Sequence, residues 1–426
     1  MLQIKAIREN TEEIKKGLKK RGFDDEALKE LDRIISLDDD RKATQTELDH
    51  NRSQINQASK EIGNLFKSGK ASEANDMKSK VNDLKENMAP LEEKYKSITN
   101  QIAEILFTLP NKPHDLVPKG NSDDDNVVIK DWTGAMPNLP KGALPHWELA
   151  EKYKLIDFKL GVKITGAGFP VFRAQGAMLQ RALINFFLDE ARAVGYEEIM
   201  PPLLVNEASG MGTGSLPDKE GQMYYIEKDN LYVIPTAEIP VTNIMRDVTV
   251  KETELPIKFC AHTPCFRREA GSYGSDVKGL NRVHQFDKVE IVQIANPKNS
   301  YEVLDNMVDY VEGLLNKLEL PHRILRLCSG DLSFASAMTY DFEVYSAAQD
   351  KWLEVSSVSN FETFQSTRMK CKYKGESGKA QEVHTLNGSA LALARIVAAL
   401  LENNQVEGGI KIPAALVPYT RFEMIT

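Results

Sequence analysis

Residues 265–290 read CFRREAGSYGSDVKGLNRVHQFDKVE, two strand-like runs on either side of a glycine-containing loop. Side chains alternate between the two faces of a strand, so Arg267 and Glu269 share a face of the first run. Arg282 and Phe286 share a face of the second run in the same way. Arginine grips phosphate through paired hydrogen bonds, and an aromatic ring stacks on a base. The pattern is typical of a nucleotide triphosphate site, although a salt-bridged hairpin would carry the same residues.

The familiar phosphate-binding loops are missing from the chain. No G-x-x-x-x-G-K-[ST] occurs, and no G-x-G-x-x-G opens a helix after a strand. The nearest approach, GESGK at 375–379, is followed by Ala380 and is typical of a surface turn. Any bound triphosphate must therefore be held by side chains.

Around this hairpin, the chain alternates strand-like and helical segments. Helices are predicted over 174–194 and 386–401 from their apolar spacing. The predicted strands are 196–200, 231–234, 257–262, 286–293, 339–345 and 351–357. Strands gathered as hairpins, with the helices segregated, favour an α+β fold built on an antiparallel sheet.

The amino-terminal part has a different pattern, a coiled-coil seam. Its apolar positions alternate strictly by four and three at Met77, Val81, Leu84, Met88, Leu91, Tyr95, Ile98, Ile102 and Ile105. A helix upstream shows the same register more weakly at Ile34, Leu48, Ile55 and Ile62, with Asp38, Arg41, Gln45 and Arg52 at the remaining seam positions. A glycine-bounded turn over 63–70 joins the two, so we expect an antiparallel helical hairpin with its tip near 63–75.

Such helices would extend roughly 45 to 50 Å, farther than a small domain is wide. The hairpin is thus either a binding arm or a dimerisation or spacer coil. Six prolines and an Asp123–Asp125 run between 110 and 145 indicate a linker, because proline ends helices. We therefore predict a helical arm over 1–109, with its coiled coil at about 28–105, a linker over 110–145 and a catalytic domain over 146–426.

Composition limits the function further. The 426 residues carry a net charge of −8, which argues against a generally basic nucleic-acid binder but leaves room for a local basic surface. The four cysteines form no C-x-x-C pair and the histidines no H-E-x-x-H, which favours reduced cytoplasmic thiols over a closed zinc site. The charged start resembles no signal peptide, and no stretch approaches the roughly 20 apolar residues of a membrane span. We expect a cytoplasmic protein with no membrane contact.

The order of several motifs resembles the seryl-tRNA synthetases, a family of class II aminoacyl-tRNA synthetases. The opening segment resembles motif 2 in its wording F-R-x-E-A-G, then R-V-H-Q-F and K-V-E. Thr-Ala-Glu at 236–238 resembles the family's serine-binding signature, and 353–361 resembles its metal and ATP strand. HTLNGS at 384–389, leading to Arg395, resembles motif 3. Two glycines often seen in motif 3 are replaced by Ala390 and Ala394, which puts only fine geometry in doubt.

Further resemblances cover essentially the whole chain. Residues 173–201 resemble motif 1, which builds the dimer interface in class II enzymes, and this implies a homodimer. The hairpin resembles the helical arm with which this family contacts the long variable arm of tRNA(Ser). The implied activity is a serine–tRNA ligase of protein biosynthesis, which uses ATP and Mg²⁺ to form seryl-adenylate and then charges the terminal adenosine of tRNA(Ser), with tRNA(Sec) as a further candidate.

The resemblance also implies roles at the ATP site. Arg267 would hold the α-phosphate and the serine carboxylate, Glu269 the adenine amino group and Phe286 the ring. Arg282 and Arg395 would neutralise the leaving pyrophosphate, while Glu354 and Ser357 would bind Mg²⁺. The implied catalytic residues are Arg267, Arg395 and Glu354. The full implied ATP set is Arg267, Arg268, Glu269, Arg282, Val283, Phe286, Glu354, Val355, Ser356, Ser357 and Arg395, with Arg268 expected to face solvent.

For serine, the resemblance implies Thr236 and Glu238 at the amine, and Glu290 and Ser389 at the hydroxyl. The full implied set is Thr236, Ala237, Glu238, Arg267, Glu290, Asn387 and Ser389. A pocket that hydrogen-bonds a hydroxyl rejects alanine, because its buried polar groups would otherwise go unpaired.

Simpler interpretations stay open. Any one of these glutamates could be a solvated strand carboxylate, and His284 and His384 are expected to be structural. A carrier-protein acylating enzyme and a catalytically silent nucleic-acid-binding relative are the alternative functions. Removal of residues 28–105 would distinguish a carrier-protein acylating enzyme from a tRNA synthetase. In a tRNA synthetase, adenylate formation should persist while tRNA charging collapses.

Overall fold

A computed structural model gives the structure of the protein and describes residues 1–218, 221–269 and 278–426. The described chain divides into two compact units, residues 2–110 and residues 111–426 with Met1. Within the described residues, no helix is long and apolar enough to cross a membrane.

The amino-terminal unit is helical. Asp24 caps its longest helix by accepting a hydrogen bond from the Ala27 amide at 2.8 Å, which satisfies one of the unpaired donors of the first turn. A short turn at 68–70 contains Gly69, whose φ of +74° suits glycine, and joins the two long helices into a hairpin. The helices are α1 (Ile4–Glu9), α2 (Thr11–Lys20), α3 (Asp25–Lys67) and α4 (Ala71–Thr108).

The seam predicted for α4 is confirmed. Val81, Ile98, Ile102 and Ile105 are buried, and the other five seam residues are partly buried between exposed neighbours. On α3, Asp38 is buried, but the prediction for Arg52 is wrong. Arg52 is exposed and forms an ion pair with Glu92 at 3.1 Å.

Residues 111–426 are built around an eight-stranded sheet. Its order is β1-β11-β12-β13-β16-β10-β9-β4, and all neighbours are antiparallel except β4 and β9. The predicted α+β fold with a helical hairpin and an antiparallel sheet is thus confirmed. The strands are β1 (Val127–Lys130), β2 (Ile156–Asp157), β3 (Val171–Phe172), β4 (Glu197–Glu198), β5 (Leu204–Val205), β6 (Tyr225–Ile226), β7 (Leu231–Val233), β8 (Thr249–Lys251), β9 (Ile257–Phe266), β10 (Gln285–Ala295), β11 (His322–Arg326), β12 (Met338–Ser346), β13 (Lys351–Asn360), β14 (Lys372–Lys374), β15 (Ala380–Glu382), β16 (His384–Ala392), β17 (Gln405–Val406), β18 (Gly409–Lys411) and β19 (Met424–Ile425).

Helices cover this sheet. The helices are α5 (His146–Lys152), α6 (Phe158–Ile164), α7 (Ala174–Ala193), α8 (Glu207–Thr213), α9 (Glu238–Thr242), α10 (Ser300–Lys317), α11 (Phe364–Met369), α12 (Leu393–Asn403) and α13 (Val417–Thr420). The main core packs α7, α10 and α12 against the sheet and includes Val289 and Ile291 of β10. A second core contains Val292 and Ile294 of the same strand with Ala237 beside α9. Because side chains alternate along a strand, Lys288 and Glu290 belong to the second face, opposite the main core.

The structure corrects two predicted elements and adds several strands, among them β1 and β11 of the main sheet. The predicted helix 386–401 is wrong in its first half, since β16 runs to Ala392 and α12 begins only at Leu393. Pairing with β10 on one side and β13 on the other outweighs the helical spacing of its alanines and leucines. The predicted strand 196–200 shrinks to the two residues of β4, and the proline-rich segment 110–145 supplies β1 at the sheet edge.

Candidate active site

Strands β9, β10 and β16 bring a polar cluster together on the second face of the sheet. Register places Glu290 of β10 opposite Ser389 of β16, and Val292 opposite Asn387. Thr236, just before α9, reaches the same place, because its hydroxyl donates to Glu290 Oε2 at 3.2 Å. Four of the residues predicted for serine, Thr236, Glu290, Asn387 and Ser389, therefore meet in three dimensions although they are far apart in the chain.

A lysine that sequence reasoning missed lies inside this cluster. The Lys288 ammonium lies 2.5 Å from Glu290 Oε2 and donates to the Thr236 hydroxyl at 2.8 Å. Lys288 and Glu290 are both buried, so their opposite charges compensate in a place without water. The alternation that puts Phe286 and Glu290 on one face also includes residue 288, so the signal was present in the sequence.

A second carboxylate completes the pocket. The Asn387 side-chain amide donates to Glu238 Oε2 at 2.9 Å and to Glu290 Oε1 at 2.7 Å, so it bridges the two acids. Gln365 donates to the other Glu238 oxygen at 2.7 Å. Desolvation, followed by the negative charge of Glu290, raises the pKa of Glu238 to about 7. The Lys288 ammonium pairs with Glu290, whereas two side-chain amides hold Glu238, so the Glu238 carboxyl group suits an ammonium ligand.

The nucleotide residues form a neighbouring set. The Arg267 guanidinium lies 5.3 Å from the centre of the Phe286 ring and donates to the Pro235 carbonyl at 3.4 Å. Arg282 forms an ion pair with Glu269 at 3.0 Å. These pairs show that the salt-bridged hairpin and the nucleotide site are not exclusive, since a ligand anion could replace the carboxylate partner of Arg282.

Arg395 belongs to the same set. It donates to the Asn281 carbonyl at 3.0 Å and to the Glu354 carbonyl at 2.6 Å, and lies 3.6 Å from the Glu354 carboxylate. Val283, Val355 and Ser356 were also predicted for ATP, but their side chains are buried, so only their backbone groups could face a nucleotide. Ala237 is buried in the second core. Arg268 is exposed, as expected, with its guanidinium near the Tyr224 ring at 4.9 Å.

The two histidines have structural partners. His284 Nδ1 lies 2.9 Å from the Arg267 carbonyl and 3.2 Å from the Tyr224 hydroxyl. His384 Nδ1 lies 2.7 Å from the Ser300 hydroxyl, and burial lowers its pKa. The predicted loop of motif 2, residues 270–277, lies outside the described residues.

A hard-cation site at Glu354 and Ser357 is compatible with the surrounding groups. Asp341 of β12 lies directly opposite Ser357 of β13, and its buried Oδ1 has no hydrogen-bond partner in the described chain. Burial, followed by the charge of Glu354, raises the pKa of Asp341 well above its usual range. An acid with one unsatisfied oxygen beside a half-exposed acid suits a divalent cation. Asp341 was missed because nothing near it in the sequence indicates which strand faces it.

Comparisons with known proteins agree with this geometry. The family model for the class II tRNA synthetase core domain (G, H, P, S and T) matches residues 224–404, and that for the seryl-tRNA synthetase N-terminal domain matches residues 1–113. The serine–tRNA ligase of Salinibacter ruber is 48% identical over 100% of this chain and 99% of its own, and that of Chlorobaculum parvum 45% identical over 100% of both. The crystal structure of seryl-tRNA synthetase from Pyrococcus horikoshii complexed with ATP is similar with a TM-score of 0.90 and 33% identity, covering 100% of this chain and 99% of that one.

The two family models together match residues 1–113 and 224–404, and the relatives are above 40% identical along the full length of the chain. Both findings identify the same family. The chain belongs to the seryl-tRNA synthetase family, the serine–tRNA ligases among the class II aminoacyl-tRNA synthetases.

Proposed function

We propose that the protein activates L-serine with ATP to seryl-adenylate and pyrophosphate, and then transfers serine to the terminal adenosine of tRNA(Ser). The observation that carries this proposal is the polar pocket of Glu238, Glu290, Lys288, Thr236 and Asn387, in which Lys288 pairs with Glu290 and Asn387 bridges the two acids. The pocket suits a ligand with one ammonium and one hydroxyl group.

The ammonium group and the hydroxyl group of serine each have a matching group in the pocket. Glu238, with the Thr236 hydroxyl nearby, would accept from the ammonium, and Glu290 would accept from the side-chain hydroxyl. The Lys288 ammonium lies against Glu290 and pairs with it inside the pocket. Alanine would leave Glu290 and Asn387 without a ligand partner in a dry site, so its rejection follows from the same contacts.

The arginines would hold ATP. Arg267 is near Glu238 and packs on Phe286, so it lies between the serine pocket and the adenine site. We assign it to the α-phosphate and the serine carboxylate, with Arg282 and Arg395 at the β- and γ-phosphates. Glu269 would accept from the adenine amino group once ATP displaces it from Arg282.

Glu354 and Ser357 would hold Mg²⁺ beside these phosphates, with Asp341 behind them as an acid that the charge of the cation would help to ionise. When bound, the ion would offset the negative charge of the phosphates. A serine carboxylate oxygen attacks the α-phosphorus and forms a new P–O bond, while the bond to the bridging oxygen breaks and pyrophosphate leaves with the electron pair. No proton moves in this step, so positioning and charge stabilisation by the arginines supply the catalysis.

In the second half-reaction, a hydroxyl of the terminal adenosine attacks the acyl carbon and AMP leaves. We assign recognition of the tRNA body to the helical hairpin, which carries the exposed cations Lys60, Lys67 and Lys70 at its tip. We also propose a homodimer through the motif 1 region, α7 and β4.

Serine-dependent exchange of labelled pyrophosphate into ATP tests the activation step. Pure, folded protein should catalyse it with serine and not with alanine, and absence of exchange would overturn the proposal. Charging of a tRNA panel that includes tRNA(Ser) and tRNA(Sec) tests the acceptor.

The role of the hairpin can be tested in the full chain. Reversal of charge at Lys60, Lys67 and Lys70 to Glu should reduce tRNA charging on the order of tenfold or more, because phosphate contacts dominate the affinity. Pyrophosphate exchange should not change. A matched control reverses the exposed Lys154 and Lys159 instead and should leave charging near wild type; equal losses in both variants would contradict a specific arm.

A further inference from the structure

A buried polar network lies beyond the groups assigned to ligands, at the end of α12. Glu402 and His146 are both completely buried, with Glu402 Oε1 2.7 Å from His146 Nδ1. The same oxygen accepts from the His146 amide at 2.9 Å, and Ser346 donates to the other oxygen. His146 Nε2 accepts from the Leu280 amide at 2.8 Å, so the neutral ring must carry its proton on Nδ1 and donate it to Glu402.

A second route leads from the same carboxylate to the next residue. Gln349 donates to Glu402 Oε1 at 2.9 Å and accepts from the Asn281 side-chain amide at 2.9 Å. Leu280 and Asn281 are therefore tied to one buried acid, the first through His146 and the second through Gln349.

The backbone beside this segment is adapted to the histidine. Gly279 has a φ of +68°, and a Cβ there would approach His146 Nε2 to 2.2 Å. Only glycine allows the ring to come this close without strain.

The tethered segment continues directly to the phosphate arginines. Asn281 precedes Arg282, and its carbonyl accepts from Arg395 Nε at 3.0 Å. Arg395 and Glu402 both belong to α12 and are seven residues apart, two helical turns, so they share one side of the helix. One helix thus holds residues 280–281 at two points, directly through Arg395 and indirectly through Glu402.

A buried acid on this helix requires a reason, since its neighbours Ile396, Val397 and Leu400 are apolar and buried. An apolar residue would fill the site without desolvating a charge, and buried ion pairs are weak contributors to stability. Burial opposes ionisation of Glu402, yet the hydrogen bonds from His146 and Ser346 outweigh it and lower the pKa of Glu402. The acid is therefore a stable anchor for the two tethers.

We propose that Glu402 is a positioning residue for the triphosphate end of ATP, acting through His146 and Gln349 to hold residues 280–281 and thereby Arg282 and Arg395. This inference rests on the proposed function, which assigns those arginines to the β- and γ-phosphates. AMP lacks these phosphates, so a positioning role should separate the affinity for ATP from that for AMP.

The experiment compares the Kd values of ATP and AMP by calorimetry on the full-length protein. Glu402→Gln keeps the shape of the side chain, and Gln349→Ala removes a partly exposed tether and should fold even if the first variant does not. Each should weaken ATP binding about three- to tenfold, the equivalent of one hydrogen bond, with the Kd of AMP unchanged. The matched control Asn403→Ala removes the hydrogen bonds that the next residue of α12 makes to the Tyr345 carbonyl at 2.7 Å and the Ala347 amide at 2.9 Å. These bonds do not lead to residues 280–281, so the ATP to AMP ratio should not change.

Arg395→Ala separates the two proposals. It should weaken ATP binding on the order of thirtyfold, as expected for a charged hydrogen-bonding partner, with little change for AMP. If Arg395→Ala has this effect while folded Gln349→Ala and Glu402→Gln keep the wild-type ratio, the positioning role is overturned and the phosphate assignment stands. If Arg395→Ala leaves the ratio unchanged, the phosphate assignment fails and the positioning role fails with it.

Discussion

Each unit of the protein holds a carboxylate shielded from solvent, Asp38 fully and Glu238 partly, and the two acids respond in opposite ways. Asp38 lies in the seam of the hairpin at 1% exposure, with Arg8, Arg41 and Lys42 within 2.7 to 3.2 Å of its oxygens. Burial opposes its ionisation, but the hydrogen bonds from Lys42 and Arg41 outweigh it, so the pKa of Asp38 is lowered. Glu238 has another carboxylate beside it, and its pKa rises to about 7.

The groups that surround Asp38 and Glu238 differ, and this difference indicates a separate role for each acid. Three cations around one carboxylate satisfy it within the protein, which makes Asp38 a structural element of the hairpin. Glu238 is held by the Gln365 and Asn387 amides and not by an ion pair of this kind, which agrees with the ammonium-binding role proposed for it. Desolvation dominates the pKa of Glu238, whereas hydrogen bonds from cations outweigh desolvation at Asp38, and this balance separates the two acids.

The largest expected effect comes from Glu238→Gln. Removing the negative charge should reduce kcat/KM for serine in pyrophosphate exchange on the order of a hundredfold, because a charged hydrogen bond to the ammonium is lost. The melting temperature at pH 8 should not fall, since ionisation of this acid is unfavourable in the folded protein. A variant with wild-type serine kinetics would contradict the binding role.

Asp38→Asn should lower stability and leave serine activation unchanged, which is the reverse of the result expected for Glu238→Gln. The free energy of unfolding should fall by about 2 kcal/mol, because partly exposed cations lose a buried partner, while pyrophosphate exchange stays at the wild-type rate. Urea titration followed by circular dichroism measures it. Asp39, the exposed neighbour that also pairs with Arg8, provides the matched control, and Asp39→Asn should change the free energy by less than about 0.5 kcal/mol.

The third expected effect is a dependence of the serine KM on pH, which arises from Glu238 and not from Asp38. Glu238 must be ionised to bind an ammonium, and it takes up a proton as the pH falls through about 7. The KM for serine should therefore rise on acidification, by about tenfold per pH unit once the pH is well below 7, with the KM for ATP little changed. A serine KM that stays flat from pH 8 to 6 would contradict the raised pKa.

Asp38 sharpens this contrast. Because its pKa is lowered on folding, its contribution to stability is complete above the ordinary pKa of about 4 and is lost only as the pH falls below it. Between pH 6 and 8, the unfolding of the Asp38→Asn variant should therefore differ from wild type by a constant amount.

The smallest effect is expected for Tyr95→Phe. The Tyr95 hydroxyl lies 3.4 Å from Arg41 Nη1, a long and partly exposed hydrogen bond, so its loss should cost less than about 0.5 kcal/mol. A loss above 1 kcal/mol in urea titration would show that Arg41 depends on Tyr95 to hold Asp38.

Much of the hairpin was predictable, because its periodicity is a local property. Nine seam positions on α4 were identified from spacing alone. The one wrong seam residue is Arg52 on α3, at a point where the distance between successive shielded residues shortens from four positions to three. The carboxyl-terminal helix was misplaced because β16 has a helix-like composition, yet strand partners lie on both sides of it.

At the site, motif order indicated which residues take part, and Thr236, Glu238, Glu290 and Asn387 meet as expected. Lys288 could have been added from strand alternation. Asp341 could not, because its partners follow from the pairing of β12 with β13.

The amino-acid order alone determined the helical hairpin and the α+β class, and it predicted which residues are available for serine and ATP, since spacing and motifs depend on near neighbours. Only the tertiary structure decided which acids are charged and what holds the arginines. Glu238 and Glu290 come together from segments about fifty residues apart, and Glu402 meets His146 across 256 positions. Desolvation and Coulomb interactions depend on distance in space, and that distance is set by the packing of the sheet and its helices.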